Sequence, residues 1–291
     1  MTKDTQLIAM YCTVCEEYYS TLAASAQRLS NNFCPKFTDE ECMAIYLFGL
    51  AQQKFNVKAI YNYIKEDYGD WFPCLPRYQN FNRRICNLSE TLGLLAERLH
   101  RRSDRSDFDG MIGLLDSLPI IVANNKRSGF AKAAGEICDK SYCASKGMYY
   151  YGIKLHYMGI HKARTIPREM FMSWITPASV NDLTTAKDKL QNIRNMEIFV
   201  DKAYCDAKWR AEMLEHNNVL ITTPVKLNKG QKEYDPYDKL YNKALSAVRQ
   251  PVEAFFKWLI DKTRIQSANN IRSTAGLLSF VFARLALLPF L

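Results

Sequence analysis

The stretch MIGLLDSLPIIV, residues 111 to 122, reads as a buried β-strand interrupted by one carboxylate, Asp116. A lone carboxylate in a dry interior is costly or else takes up a proton. Either the strand ends there, or the charge has a partner worth that cost. The stretch NMEIFVDKAYCDAKW raises the same question, with Asp201 directly after Ile198, Phe199 and Val200. Two strands that each finish in an aspartate point to a shared site at one edge of a sheet.

The periodicity of the apolar positions divides the chain. Before residue 101 it is helical. FTDEECMAIYLFGLAQQKF opens with Thr38 as N-cap and Glu41 three residues on, a capping box. NVKAIYNYIKEDYGDWF begins at Asn56 and stops near Gly69, and PRYQNFNRRICNLSETLGLLAERLHRR gives a third helical region with a break near Asn87. The polar stretch RRSDRSDFDG, residues 101–110, is the natural boundary. After it, GLLDSLPIIVA, MYYYGIKLHYMGI, MFMSWITPAS, MEIFVDKAY and VLITTPV are β-like, and helical segments separate the later runs. KLNKGQKEYDPYDK reads as a loop before a long helix from about Leu240 to Lys262. The expectation is an all-α region over 1–105 and an α/β domain with a mixed sheet over 106–291.

Composition limits the class of protein. Hydrophobic residues make up 48% of the 291 and charged residues 24%, the balance of a soluble globular chain. The N-terminal residues lack a basic stretch followed by an apolar core, so no signal peptide is expected. The C-terminal AGLLSFVFARLALLPFL is short for a membrane span and is divided by Arg284, so a helix docked on the core is expected. Nine cysteines without an export signal favour free thiols in the cytoplasm. The net charge of +9 is unevenly placed. Residues 1–110 carry 13 Lys and Arg against 14 acids, a net of −1; residues 111–291 carry 26 against 16, a net of +10. The basic excess thus lies in the half with the two aspartates, and favours a polyanionic partner.

A third acid, Glu253, lies in RQPVEAFFKWLIDKTR on the long helix, among Val252, Phe255, Phe256 and Leu259. Two strand-end aspartates and a helical glutamate can converge on a pair of divalent cations, and hard oxygen ligands suit Mg²⁺. Two such ions stabilise the attacking and leaving oxygens of a phosphoryl displacement. Candidate DNA contacts follow. Arg77, Arg83 and Arg84, with Asn80 and Asn82, would lie on the reading helix of a helix-turn-helix-like region. Lys154 and His156 share the polar face of one strand and could bind phosphates beside the acids. Lys126 and Arg127 follow the first strand, and Lys202 adjoins Asp201. Trp174, Trp209 and Trp258 are expected in the core rather than stacked on bases, Asp182 is expected to cap a helix, and Asp206 to sit in a first helical turn.

These stretches together, with LPRYQNFNRR, LLDSLPI, YYYGIKLH, ITPASVND, VDKAYCD and RQPVEAFFKW, resemble a bacterial insertion-sequence transposase of the DDE class over nearly the whole chain. Asp116, Asp201 (with Ala203 and Tyr204) and Glu253 match that family's acids in order, with 84 and 51 residues between them. The resemblance implies a ribonuclease-H-like catalytic domain and two Mg²⁺ or Mn²⁺ ions, Asp116 bridging both, Asp201 holding one and Glu253 the other. It implies cleavage and joining of phosphodiester bonds at element ends in double-stranded DNA, by a homodimer or larger assembly in the cytoplasm, at the nucleoid. Arg249, four residues before Glu253, fits an arginine common in the family. The family's tyrosine and lysine positions are here Ser246 and Ile260, so Lys257 would serve as the lysine. A nuclease that cuts without joining, and a silent DNA-binding descendant of a transposase, are the alternatives.

Overall fold

A computed structural model describes residues 2–26, 35–101, 111–162, 164–227, 230–231 and 233–291. The boundary stretch after Arg101, and residues 228, 229 and 232 of the KLNKGQKEYDPYDK loop, lie outside the described residues. The chain forms two compact units. One comprises Met1–Arg102, Ala133–Glu136 and Ile260–Leu291; the other comprises Ser103–Lys132 and Ile137–Leu259.

The first unit begins with α1 (Lys3–Ser20), α2 (Asp39–Ala51), α3 (Val57–Asp67), α4 (Tyr78–Asn87) and α5 (Ser89–Arg101). The capping box forms: Thr38 Oγ1 accepts from the Glu41 amide at 3.2 Å, and the Glu41 carboxylate accepts from the Thr38 amide at 2.6 Å. That start fixes α2, whose residues Cys42 to Leu50 are all buried, at the centre of the helical core. Asn56 caps α3, and the third helical region is split at Leu88. Five residues join α2 to α3 and ten join α3 to α4, longer than the three- or four-residue turn of a helix-turn-helix.

The second unit contains β1 (Met111–Asn124), β2 (Asp139–Cys143), β3 (Met148–Ile160), β4 (Met170–Pro177), α6 (Asp182–Leu190), β5 (Met196–Phe199), α7 (Ala207–Asn217), β6 (Val219–Thr222) and α8 (Pro236–Thr263), which leaves this unit after Leu259. Its mixed sheet has the order β2-β3-β1-β5-β6. Strand β3 runs antiparallel to β1 along one edge, and its other edge is shared between β2 and β4. Strands β5 and β6 run parallel to β1. Asp116 does not end its strand: β1 continues eight residues beyond it, to Asn124. Asp201, in contrast, follows the last residues of β5. The short strand β2 has no counterpart in the sequence reading, because DKSYC is polar and brief.

Alternation along the strands assigns the faces. Asp116 pairs with Tyr157 and Ser117 with His156, so these two pairs point to opposite faces. On the Tyr157 face, its ring stacks on Phe255 of α8 at 4.5 Å. On the other face, Leu115, Met158 and Trp174 pack with Ala186 and Leu190 of α6 and with Trp209 and Met213 of α7. Trp174 donates its indole N–H to Thr185, and like Trp209 it belongs to the core.

The C-terminal helix α9 (Thr274–Leu287) packs in the first unit. Its Arg284 is fully buried, and its guanidinium donates to the carbonyls of Thr263, Phe280 and Phe55 at 2.8, 2.9 and 3.2 Å. Those acceptors explain how one charge is tolerated in so apolar a helix. No helix among the described residues is long and apolar enough to cross a membrane.

Candidate active site

Parallel pairing of β1 with β5 places the two aspartates. Leu114 is in register with Phe199, so two residues on Asp116 and Asp201 stand at the same level of neighbouring chains. Arg249 of α8 lies between them. Its guanidinium donates to Asp116 Oδ2 at 3.2 Å and to Asp201 Oδ1 at 3.3 Å. Arg249 is itself buried, and its Nε has no hydrogen-bond partner, so all of its observed hydrogen bonding goes to the acid pair. This is the partner that an aspartate inside an apolar run requires.

The pairing does not restore Asp116 to an ordinary carboxylate. Burial pushes its pKa up from 3.8 to about 6, against the Arg249 guanidinium and the Ser117 amide, which donates to Oδ1 at 2.8 Å; the charges of Asp201 and Asp182 push it further up. Tyr204, in the turn after Asp201, is fully buried with its hydroxyl unpaired. Burial, and then the neighbouring charges of Asp182, Asp116 and Asp201, drive its phenol well above the ordinary range.

Glu253 lies one helical turn beyond Arg249 on α8, on the same side of the helix, with its side chain exposed. Pro251 sits between them inside an unbroken helix, and having no N–H it cannot bond the Ala247 carbonyl. Among the described residues no group of three or more acids, histidines or cysteines is gathered closely enough to hold a metal ion. The donor chemistry of the aspartate pair nevertheless fits a hard divalent cation: two carboxylates already converge on one positive group.

The candidate phosphate ligands fall in different places. Lys202, beside Asp201, is exposed and donates to the Tyr234 hydroxyl at 3.2 Å, and Lys257 is exposed one turn past Glu253. Lys126 and Arg127 are exposed in the turn after β1, ten and eleven residues past Asp116. Lys154 and His156 are not beside the acids: they lie on the opposite face of the sheet. Lys154 pairs with Asp182 at 2.7 Å and with the Val180 carbonyl at 2.8 Å. His156 is fully buried, hydrogen-bonded to Thr176 at 2.9 Å and stacked on Trp174, and burial lowers its pKa to about 4. It is a neutral core residue.

Alternation alone contained that outcome, because 116 and 117 must diverge, but it required the β1–β3 register to apply it. Asp182 follows the actual cap, Asn181, and accepts from Lys154 and from Ser117 at 2.9 Å; Asp206 is the residue that caps, accepting from the Trp209 amide at 3.1 Å. In the helical unit Arg77 and Arg83 are exposed. Arg84 is turned inward, in a two-pronged pair with Asp39 and a hydrogen bond to the Ala26 carbonyl, and so ties α4 to the start of α2 instead of facing solvent.

Residues 107–288, more than half of the chain, match the Transposase DDE domain family, and the chain belongs to that family. A comparison with curated proteins gives no match.

Proposed function

We propose that the protein is a DNA transposase that cuts and joins phosphodiester bonds at the aspartate pair, with a ribonuclease-H-like sheet as its scaffold. One observation carries the reading: Asp116 and Asp201, 85 residues apart in the chain, stand level on adjacent parallel chains and share one cation, in a domain of the transposase family. The mixed sheet, with the Asp116 strand at its centre, supports the ribonuclease-H-like assignment.

Asp116 and Asp201 would hold divalent metal from β1 and from the end of β5, and Glu253 would complete the set from α8. Two Mg²⁺ or Mn²⁺ ions, when bound there, supply Lewis-acid stabilisation of the attacking and leaving oxygens. Arg249 neutralises the pair and, once displaced from it, would be a candidate ligand for a scissile-strand phosphate. Lys202, next to Asp201, and Lys257, one turn past Glu253, would be further phosphate ligands, and Arg77 and Arg83 of α4 would offer a second basic surface to double-stranded DNA.

Asp116→Asn, Asp201→Asn and Glu253→Gln are each expected to abolish Mg²⁺-dependent cleavage of labelled element ends while DNA binding persists. Strand-transfer products with a target plasmid separate a transposase from a nuclease. Wild-type cleavage in all three variants would refute the assignment.

A further inference from the structure

The far end of β1 carries a second feature that the acid pair does not use. Asn124 is in register with Tyr150, and next to it β2 and β3 pair Tyr142 directly with Tyr149. Both phenol rings are more than half exposed, at 53% and 56%, with centroids 5.0 Å apart. Lys140 holds its ammonium 5.1 Å from the Tyr149 ring centre. The chain leaving β1 adds Lys126, Arg127 and then Phe130, whose ring is 87% exposed.

Three features give the patch a chemistry. The ring pair is a cross-strand contact built on regular strands, not a frayed loop. Among the described residues no ion pair joins Lys126, Arg127 or Lys140 to a carboxylate, whereas Asp139, the acid on β2, is engaged by the Ser179 hydroxyl and the Lys140 amide. Exposed rings with one cation over them and two more cations on the chain leaving the neighbouring strand match a surface of alternating phosphates, sugars and base edges. A second copy of the same patch would bring like charges together.

We propose that this end of the sheet is a duplex-DNA docking site, separate from the acid pair, in which the cations meet phosphates and the tyrosine rings lie against sugars and base edges. Eight residues of extended strand separate Asp116 from Asn124. At ~3.4 Å per residue that is about 27 Å, or roughly eight base pairs of duplex. The site would therefore grip DNA that flanks the cut.

The inference rests on the transposase reading, and the two can fail separately. Full-length protein is titrated with a dye-labelled 30-base-pair duplex by fluorescence anisotropy, without divalent metal, across a salt series. Replacing Lys126, Arg127 and Lys140 together by Gln is expected to lower the slope of log affinity against log salt by roughly 2 to 3, about one per cation. The Tyr142→Ser, Tyr149→Ser double variant is expected to bind about tenfold more weakly at fixed salt with the slope unchanged, because the ring area removed from water against sugars is lost without any loss of charge. A photo-crosslinker at position 142 is expected to mark the duplex about eight base pairs from the cleaved bond.

Wild-type affinity in the tyrosine variant, or a slope change below one in the cation variant, overturns the docking site. So does loss of affinity that tracks dissociation of a dimer in sedimentation, which would make the patch a contact between chains. If the patch variants lose binding while the acid variants still cleave, the catalytic reading fails and the docking site stands.

Discussion

Arg249→Gln tests the centre of the site, because Gln keeps most of the volume and removes the cation. The side chains of Arg249 and Asp116 are only 10% and 23% exposed, so their pair is largely withdrawn from water. Removing one partner from a buried pair costs about 3 kcal/mol, since the other charge is left behind. The Asp201 partner is 47% exposed and adds at most about 1 kcal/mol.

The pH dependence follows from the sign of the Asp116 shift. Its carboxyl holds a proton up to about pH 6 when folded, against an ordinary 3.8. Its contribution to stability is therefore fully present below about pH 4 and is lost as pH rises through 6, by about 3 kcal/mol in all. Arg249 limits that loss, so its removal is felt above pH 6 and little below. For a unit of this size about 3 kcal/mol corresponds to roughly 6–12 °C in melting temperature. Calorimetry of the metal-free protein at pH 8 and pH 4.5 should give a depression of that order at the higher pH and under about a third of it at the lower. A depression equal at both pH values would show that Arg249 acts by packing, and a shift below about 2 °C at pH 8 would show that it does not hold the acids at all.

Two further outcomes follow. Mn²⁺ must displace the Asp116 proton to bind, so its affinity, read by electron paramagnetic resonance titration, should be about tenfold weaker at pH 5 than at pH 7.5, given a pKa of about 6; equal affinities would place the ion elsewhere. Arg284→Leu removes the donor to the three carbonyls of Thr263, Phe280 and Phe55, and should destabilise the helical unit by about 2–4 kcal/mol in urea unfolding, whereas a neutral outcome would show that the carbonyls find other donors.

Much of this architecture was legible in the chain because local chemistry decided it. The capping box at Thr38, the Asn56 cap, the break near Asn87 and the span of β3 each rest on a few neighbouring residues, and each appears in the structure. What failed was set at long range. Arg84 looked like a surface residue of a basic helix, and only the approach of Asp39, 45 residues earlier, turns it inward. His156 looked solvated because it alternates with apolar neighbours, but that rule gives two faces without saying that helices cover one of them. Asp116 looked like a strand end because nothing local shows that Arg249, 133 residues later, will receive its charge.

Helix α8 carries both the cation that pairs the aspartates and, one turn on, the exposed Glu253. Arg249 and Glu253 are four residues apart, so a small rotation or slide of one helix moves both relative to the aspartates. While the guanidinium occupies the pair, the acids are neutralised from within the chain and Glu253 stands outside. On the transposase reading, a divalent metal would have to displace the guanidinium from the same two carboxylate oxygens, and Glu253 would join them from the same side of α8. The cation four residues before Glu253 thus has one role that the structure shows: it makes two converging carboxylates, one of them inside an apolar strand, tolerable in the folded protein.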